Sequence, residues 1–334
     1  MSPTDHSRQM YLVGDVGGTK TILALYETNG NNYLKKQQFS SAQHPTFAEL
    51  LADFLADVDS SAIKAACIGV AGIVINGRCE TTNLPWVLSS KEIGEHINNQ
   101  NVSLLNDLEA TAWGLLDLPE QDFVELNPDA RIQQGNIAVL AAGTGLGEAI
   151  IAWDGVTHQI IASEGGHADF SPTDEQEIAL LRHLLKKFSG HVSFERLISG
   201  AGLVNIYQFL KHGNALPTNP EIEQQMAERD PAAVIGEAGV TGSDALCEAA
   251  LKLFCKIYGS ESGNLALKCL PYGGVYLAGG IGAKILPALQ QGEFMHGFLA
   301  KGRCRSVMQT LSVKVCTNPE VALLGALSYT KKHT

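Results

Sequence analysis

The sequence predicts an α/β protein of two domains, each built around a β-meander that contains a glycine-rich loop. The length of 334 residues exceeds the size at which a single core usually stops growing, and this favours two domains. A strand, a glycine-threonine loop and a second strand follow one another at residues 11–26, and again at residues 136–153. This internal repeat, about one domain apart, indicates that the two halves share one architecture.

The first half begins with three apolar runs typical of strands, separated by the glycine loop and by the turn signal Asn29-Gly30. These strands are predicted at residues 11–13, 21–26 and 33–39. A helix after Thr46, two buried strands and a second helix are predicted next, at residues 47–58, 65–70, 102–105 and 109–116.

The second half has its own strand pair at residues 136–141 and 148–153 and is then rich in helices. One amphipathic helical face is predicted from Ile178, Leu181, Leu184 and Leu185. A further helix, two strands and a last helix are predicted at residues 245–258, 275–278, 313–315 and 322–327. The glycine and prolines of residues 212–220 predict a loop inside this domain.

The composition excludes several classes of protein. The net charge is -11 and basic residues cluster only in isolated pairs, so we expect neither a nucleic-acid partner nor a membrane partner. The seven cysteines form no C-x-x-C pair, so a zinc-knuckle or thioredoxin-type motif is absent. Their odd number and scattered positions favour reduced thiols and a cytoplasmic location. The polar N-terminal residues 1–9 lack the apolar region of a signal peptide, and no apolar run is long enough for a membrane span.

The first loop has the sequence GDVGGT at residues 14–19. Its glycines allow backbone N–H groups to approach an anion, and Thr19 adds a hydroxyl donor. Asp15 would repel a bare phosphate, so its presence fits a Mg²⁺ ion or its water shell between the two. An ordinary hairpin turn is the alternative for this loop alone.

The second loop, with Gly143 and Thr144, lies in the same strand–loop–strand context. Two such hairpins could clamp the phosphate chain of a nucleotide from both domains. Neither loop is a P-loop, because the Gly-Lys-Ser/Thr ending is missing. Neither is a Rossmann fingerprint, because no helix follows at once.

Asp107 follows Asn106 at the end of a buried strand. Phosphoryl transfer to an alcohol needs a proton acceptor, and an aspartate serves this purpose in many kinases. The alternative is that Asp107 is the N-cap of the helix that follows. An aspartate can do both.

A denser polar group lies at residues 164–169, where Glu164 and His167 are separated by two glycines and Asp169 follows. Such groups suit polyol recognition, because each sugar hydroxyl is both donor and acceptor. A metal site is the weaker alternative, because no further His or Cys cluster lies nearby. Glu195 is either another hydroxyl acceptor or a surface helix carboxylate. Gly279 and Gly280 either admit a flat adenine or form a tight strand-to-helix turn.

These residues together resemble the bacterial-type glucokinase family of the hexokinase and actin-like ATPase superfamily, over nearly the whole chain. The resemblance rests on six motifs in the family's order, which begin at Val13, Leu105, Gly143, Glu164, Ser199 and Ala278. It implies ATP and Mg²⁺ as cofactors and glucose as the substrate. It also implies a ribonuclease H-like fold with the active site in the cleft between the domains, and a homodimer.

The resemblance also implies a role for each matching residue. Asp107 would be the base that deprotonates the 6-hydroxyl of glucose, and Asp15 would act near magnesium, through water. The residues implied to bind sugar are Asn106, Asp107, Glu164, His167 and Glu195. Those implied to bind nucleotide are Gly14, Asp15, Gly17, Gly18, Thr19, Gly143, Thr144, Gly279 and Gly280. The last helix would return to the first domain, which gives domains at residues 1–118 plus about 317–334, and 119–316.

Two departures qualify the resemblance. The related ROK kinases carry a cysteine-rich zinc motif after the histidine, and its absence argues for the non-ROK branch and against a structural zinc. Residues 70–73 lack a proline that family members often have there. A kinase for another hexose or an N-acetylated amino sugar, and a non-catalytic sugar sensor or actin-like nucleotide switch, stay open as alternatives. Phosphoryl donors other than ATP stay open as well.

Overall fold

The computed structural model describes residues 9–30, 32–81, 84–213 and 216–334. The polar N-terminal segment at residues 1–9 therefore lies almost wholly outside the described residues. So do residues 214 and 215 of the loop predicted at residues 212–220. Within the described ranges, no helix is both long enough and apolar enough to cross a membrane.

The strands, in chain order, are β1 (Met10–Val16), β2 (Lys20–Glu27), β3 (Tyr33–Ser40), β4 (Ile63–Val70), β5 (Val74–Ile75), β6 (Arg78–Glu80), β7 (Val87–Ser89), β8 (Val102–Asn106), β9 (Phe123–Glu125), β10 (Ile137–Ala142), β11 (Leu146–Trp153), β12 (His158–Ser163), β13 (Gly274–Ala278) and β14 (Val313–Cys316). The helices are α1 (Phe47–Leu55), α2 (Ser90–Ile97), α3 (Asp107–Asp117), α4 (Glu175–Lys187), α5 (Gly200–His212), α6 (Pro220–Glu228), α7 (Pro231–Thr241), α8 (Ala245–Cys269), α9 (Gly279–Lys284), α10 (Leu286–Leu289), α11 (Glu293–Leu299), α12 (Arg305–Met308) and α13 (Val321–His333).

The first compact unit comprises Met1–Pro119 and Pro319–Thr334. Its main sheet has the order β3-β2-β1-β4-β8, in which β1 is antiparallel to β2 but parallel to β4. The predicted strands of the first half are all present. The C-terminal helix α13 packs against α3. The two backbones approach so closely that a Cβ on Gly325 would overlap the backbone oxygen of Ala110.

The second compact unit comprises Glu120–Asn318. Its sheet has the order β12-β11-β10-β13-β14-β9, so the meander β10-β11-β12 corresponds to β1-β2-β3 of the first unit. Strand β12 completes this second meander, and the sequence did not predict it. Most of its side chains are exposed, so it lacks the apolar alternation by which strands are recognised.

Two helix predictions need correction. In α4 the buried positions include Leu180 and Leu184, whereas Leu185 of the predicted apolar face is exposed. Helix α8 does not end at Tyr258 but continues to Cys269. Gly259 lies at a helix crossing, because a Cβ there would overlap the backbone oxygen of Phe294 in α11.

Candidate active site

The first glycine loop connects β1 to β2 and is held by hydrogen bonds from its own meander. The Gly17 N–H donates to the Lys20 carbonyl at 2.9 Å. Ser41, directly after β3, donates its hydroxyl to the Gly17 carbonyl at 2.9 Å and its N–H to the Thr19 carbonyl at 3.0 Å. Since the single Ser41 hydroxyl proton is used there, the buried Thr21 hydroxyl donates to Ser41 at 2.9 Å. The loop conformation is therefore fixed without a ligand.

The fixed loop leaves two consecutive backbone donors available. Among the residues that the structure describes, the N–H groups of Gly18 and Thr19 have no hydrogen-bond partner. The Thr19 side chain is exposed. Adjacent unpaired N–H groups in a glycine-rich turn are the arrangement that binds phosphate oxygens.

Gly14 has a packing reason for lacking a side chain. A Cβ there would lie 2.7 Å from Leu23 Cδ2 and 2.8 Å from Ile68 Cδ1, in the core between β2 and β4. The structure thus explains this glycine without a nucleotide, and its contact with one stays a prediction.

Asp15 lies near the end of β1 and is only partly exposed. Burial, together with the negative charge of Asp107, raises the pKa of Asp15 to about 6. Both effects penalise the carboxylate, and a bound cation would relieve both. Oxygen ligands suit Mg²⁺, so these residues fit that ion. Within the described ranges, no group of three or more His, Cys, Asp or Glu side chains is placed to hold a metal.

Asn106 and Asp107 form the junction between β8 and α3. The Asn106 side-chain oxygen accepts the Leu108 N–H at 2.9 Å, so Asn106 is the N-cap and the N-cap interpretation of Asp107 is wrong. Asp107 is the first residue of the helix, and its carboxylate also accepts the Leu108 N–H at 2.9 Å. A negative charge at a helix N-terminus is favoured by the helix dipole, which suits an ionised acid.

The amide of Asn106 also restrains the segment after β4. Its nitrogen donates to the Gly72 carbonyl at 3.0 Å. Gly72 has a φ of 156°, where a Cβ would lie 2.7 Å from the Cys79 sulfur. One amide proton of Asn106 remains for a hydroxyl.

The second glycine loop connects β10 to β11 and repeats the first arrangement with different supports. The Gly143 N–H donates to the Gly145 carbonyl at 2.9 Å, and the Gly200 N–H at the start of α5 donates to the Gly143 carbonyl at 2.9 Å. Thr144 is exposed. Its N–H and that of Gly145 have no partner in the part of the chain that is described. Here too, two consecutive donors are available for an anion.

Glu195 supports this second loop directly. It lies in the short 3₁₀ helix Phe194–Arg196, and its carboxylate accepts the Leu146 N–H at 3.1 Å. A Cβ on Gly145 would lie 2.5 Å from the Glu195 oxygen, so this approach requires glycine. Glu195 is half-buried, and the surface-helix interpretation is wrong. The sequence did not reveal the Glu195–Leu146 bond, which joins a predicted sugar ligand to a predicted phosphate loop.

Glu164 and His167 flank a tight turn that lies directly on β11. A Cβ on Gly166 would overlap the Leu146 carbonyl oxygen, and one on Gly165 would overlap the carboxylate of Glu148. Glu164 and His167 are both exposed, with His167 Nε2 3.9 Å from a Glu164 oxygen. They are accessible to a polyol.

Asp169 does not join Glu164 and His167. Its carboxylate lies 3.0 Å from His191 Nε2. This pairing leaves the metal-site interpretation of residues 164–169 without support.

Gly279 and Gly280 differ in their surroundings. Gly279 has a φ of 81°, and a Cβ there would overlap the Ala142 backbone, so it serves the turn from β13 into α9. A Cβ added to Gly280 would meet no described atom within 4 Å, which leaves space for a ligand. The tight turn therefore accounts for the first glycine, and contact with adenosine stays a prediction for both.

Comparison with known proteins identifies relatives over nearly the full length. The sequence profile of the glucokinase family matches residues 12–333. The chain is 41% identical to the glucokinase of Trichormus variabilis, with 95% of this chain and 97% of that protein covered. Among solved structures, a glucokinase from an Antarctic psychrotroph is 28% identical with a TM-score of 0.81, covering 97% of this chain and 99% of that one. A ROK family glucokinase from Streptomyces griseus, in complex with glucose and AMPPNP, is 19% identical with a TM-score of 0.68, and the match covers 97% of this chain and 99% of that one. The α/β two-domain sugar-kinase fold is thereby confirmed.

Proposed function

The chain belongs to the glucokinase family, and we propose that it transfers the γ-phosphoryl group of ATP to the 6-hydroxyl of glucose. The observation that carries this proposal is Asp107, a carboxylate at a helix start in the same unit as a loop with two unpaired N–H groups. This combination provides a proton acceptor and an anion-binding loop on one rigid sheet.

Asp107 is the proposed general base. It accepts the proton of the sugar 6-hydroxyl as that oxygen forms a bond to the γ-phosphorus. The bond between the γ-phosphorus and the bridging oxygen breaks, and ADP leaves with the electron pair. Because this transition state is loose, positioning and charge neutralisation supply most of the rate enhancement.

The proposed sugar ligands are the other polar groups of the two units. Asn106 has one amide proton left after its bonds to Leu108 and Gly72. Glu164 and His167 are exposed and adjacent. Glu195 keeps one carboxylate oxygen free of the Leu146 bond. Together they offer the mixture of donors and acceptors that sugar hydroxyls require.

The proposed nucleotide ligands are the N–H groups of the two loops, with Thr19 and Thr144 as additional donors. Mg²⁺ would lie near Asp15 and, when bound, would neutralise phosphate charge. The resemblance further leads us to propose a cytoplasmic homodimer, as in the sequence-based expectation.

A direct test is to incubate the purified protein with MgATP and a panel of sugars and to detect each sugar 6-phosphate. We expect glucose to give the highest kcat/KM and 6-deoxyglucose to give no product. If another hexose or an N-acetylated amino sugar were phosphorylated faster than glucose, that sugar would be the preferred substrate. Binding of glucose without any phosphorylation would favour a sugar sensor.

A further inference from the structure

Two glutamates of the second unit, Glu148 and Glu261, are buried, and Glu148 lies directly beneath the turn that carries Glu164 and His167. Glu148 projects from β11 and Glu261 from α8, and each is only 1% exposed. One carboxylate oxygen of each, Oε1, has no hydrogen-bond partner among the described residues when both groups are taken as ionised. Neither glutamate has a role in the proposed reaction. An orphaned buried oxygen on each of two neighbouring carboxyl groups needs a physical explanation.

A shared proton provides it. Two buried carboxylates would repel each other, and each would also lose its hydration. If one is protonated, its O–H can donate to a carboxylate oxygen of the other, and the repulsion between two negative charges is removed. Burial first, and then the charge of Glu261, raise the pKa of Glu148. Burial raises the pKa of Glu261 as well, but the hydrogen bond from Glu148 opposes this rise, whereas the same bond raises the pKa of Glu148 further. The proton is therefore favoured on Glu148.

The negative charge on Glu261 has its own partners. The Asn264 amide donates to Glu261 Oε2 at 2.8 Å, and Lys301 Nζ donates to Asn264 Oδ1 at 2.6 Å. Lys268 on α8 also acts on both carboxyl groups. Tyr258 is the remaining titratable group that interacts with Glu148, and its hydroxyl donates to the Leu140 carbonyl. A chain of polar contacts thus leads from Lys301 to the protonated Glu148.

Glu148 contacts the sugar-binding turn in two ways. Its carboxylate packs against Gly165 so closely that a Cβ there would overlap it. Its backbone carbonyl accepts the Ser163 hydroxyl at 2.8 Å, and the Ser163 oxygen accepts the Gly165 N–H at 3.1 Å. The position of the turn is therefore tied to the position of Glu148.

We propose that Glu148 and Glu261 share one proton, and that this pair positions the turn bearing Glu164 and His167, so that ionisation of the pair displaces the turn and weakens sugar binding. Glu148 is thus a positioning residue, without contact to substrate. The inference rests on the proposed function for the binding of sugar by Glu164 and His167.

The test compares the wild type with Glu148→Gln across pH 6 to 10, with ATP saturating. In the wild type, the KM for glucose rises by up to about tenfold per pH unit once the pair ionises, while kcat changes little. Glutamine keeps an N–H donor toward Glu261 but does not titrate, so the variant should keep the neutral-pH KM at every pH. Glu177→Gln, a buried glutamate paired with Lys256 in the same unit, is the matched control and should keep the wild-type rise.

Hydrogen exchange of the wild type provides a readout that needs neither a folded variant nor enzymatic activity. After correction for the intrinsic rate, the amides of residues 164–168 should lose protection at alkaline pH, whereas those of β10 should not. A wild type with pH-independent protection of the turn, or a Glu148→Gln variant with the same alkaline rise in KM, overturns the shared-proton proposal. A wild type that does not phosphorylate glucose at neutral pH overturns the proposed function instead and leaves the exchange test intact.

Discussion

The two glycine loops occupy equivalent places in the two sheets but are supported by different chemistry. Each follows the first strand of a meander, and each leaves two consecutive N–H groups unpaired within the described residues. The first is held by the hydroxyl and backbone of Ser41, and the second by the carboxylate of Glu195. The difference suggests that only the second loop is coupled to the sugar, because only its support is also a proposed sugar ligand.

A second difference is the charge beside each loop. Asp15 lies two residues before Gly17, whereas the same position before Gly143 is Ala141. The duplicated architecture therefore carries a carboxylate on one side only.

The largest effect expected on the difference between the two loops comes from removing their supports in turn. Glu195→Ala should lower kcat/KM for glucose by about 100-fold and also raise the KM for ATP, because a hydrogen bond to a charged group contributes about 1.5–3 kcal/mol. Ser41→Ala should raise the KM for ATP by about tenfold and leave the KM for glucose unchanged. Steady-state kinetics with each substrate varied separately measure both. An equal rise of the glucose KM in the two variants would remove the distinction between the loops.

A smaller effect is expected from glycines of the second loop. Gly145→Ala should force the Glu195 carboxylate away from the Leu146 N–H and weaken glucose binding about tenfold, since a lost hydrogen bond contributes about 1 kcal/mol or more. Gly143→Ala is the control, because an added Cβ meets no described atom within 4 Å. Calorimetric titration with glucose in the absence of nucleotide tests this pair. Identical glucose affinities for the two variants would argue against support by Glu195.

The smallest effect concerns the stability of the first loop. The pKa of Asp15 is raised from 3.8 to about 6, so ionising it in the folded state destabilises the protein; this penalty grows between these two pH values and is complete above pH 6. Asp15→Asn should therefore raise the free energy of unfolding at pH 7 by about 1–2 kcal/mol. The gain should shrink as the pH falls through 6, where the wild-type carboxyl becomes protonated. Denaturant unfolding at pH 5 and pH 7.5 measures it, and a gain that is larger at pH 5 would contradict the assigned sign.

The sequence was sufficient for the features that depend on neighbouring residues. Glycine-threonine pairs between apolar runs predicted the first meander and the first two strands of the second, and the polar pair after residues 102–105 predicted the junction at Asn106 and Asp107. Which of the two residues caps α3 required side-chain geometry, because either can accept the Leu108 N–H.

Contacts between distant residues could not be predicted in the same way. The Glu195–Leu146 bond spans 49 residues, and no local pattern distinguishes this glutamate from a surface one. The helix predicted at residues 245–258 continues to Cys269, and Gly259 within it serves a helix crossing with α11. A glycine can end a helix or allow two backbones to approach closely, so its structural role depends on the residues that pack against it.

The most direct measurement is the turnover of Asp107→Asn beside its affinity for glucose. If Asp107 accepts the proton of the 6-hydroxyl, kcat should fall by about 10²–10⁴-fold, as expected for loss of a general base. The dissociation constant for glucose, measured by calorimetry, should change by less than about tenfold, because asparagine keeps the shape and one acceptor oxygen. Near wild-type turnover in this variant would contradict the assignment of Asp107 as the base.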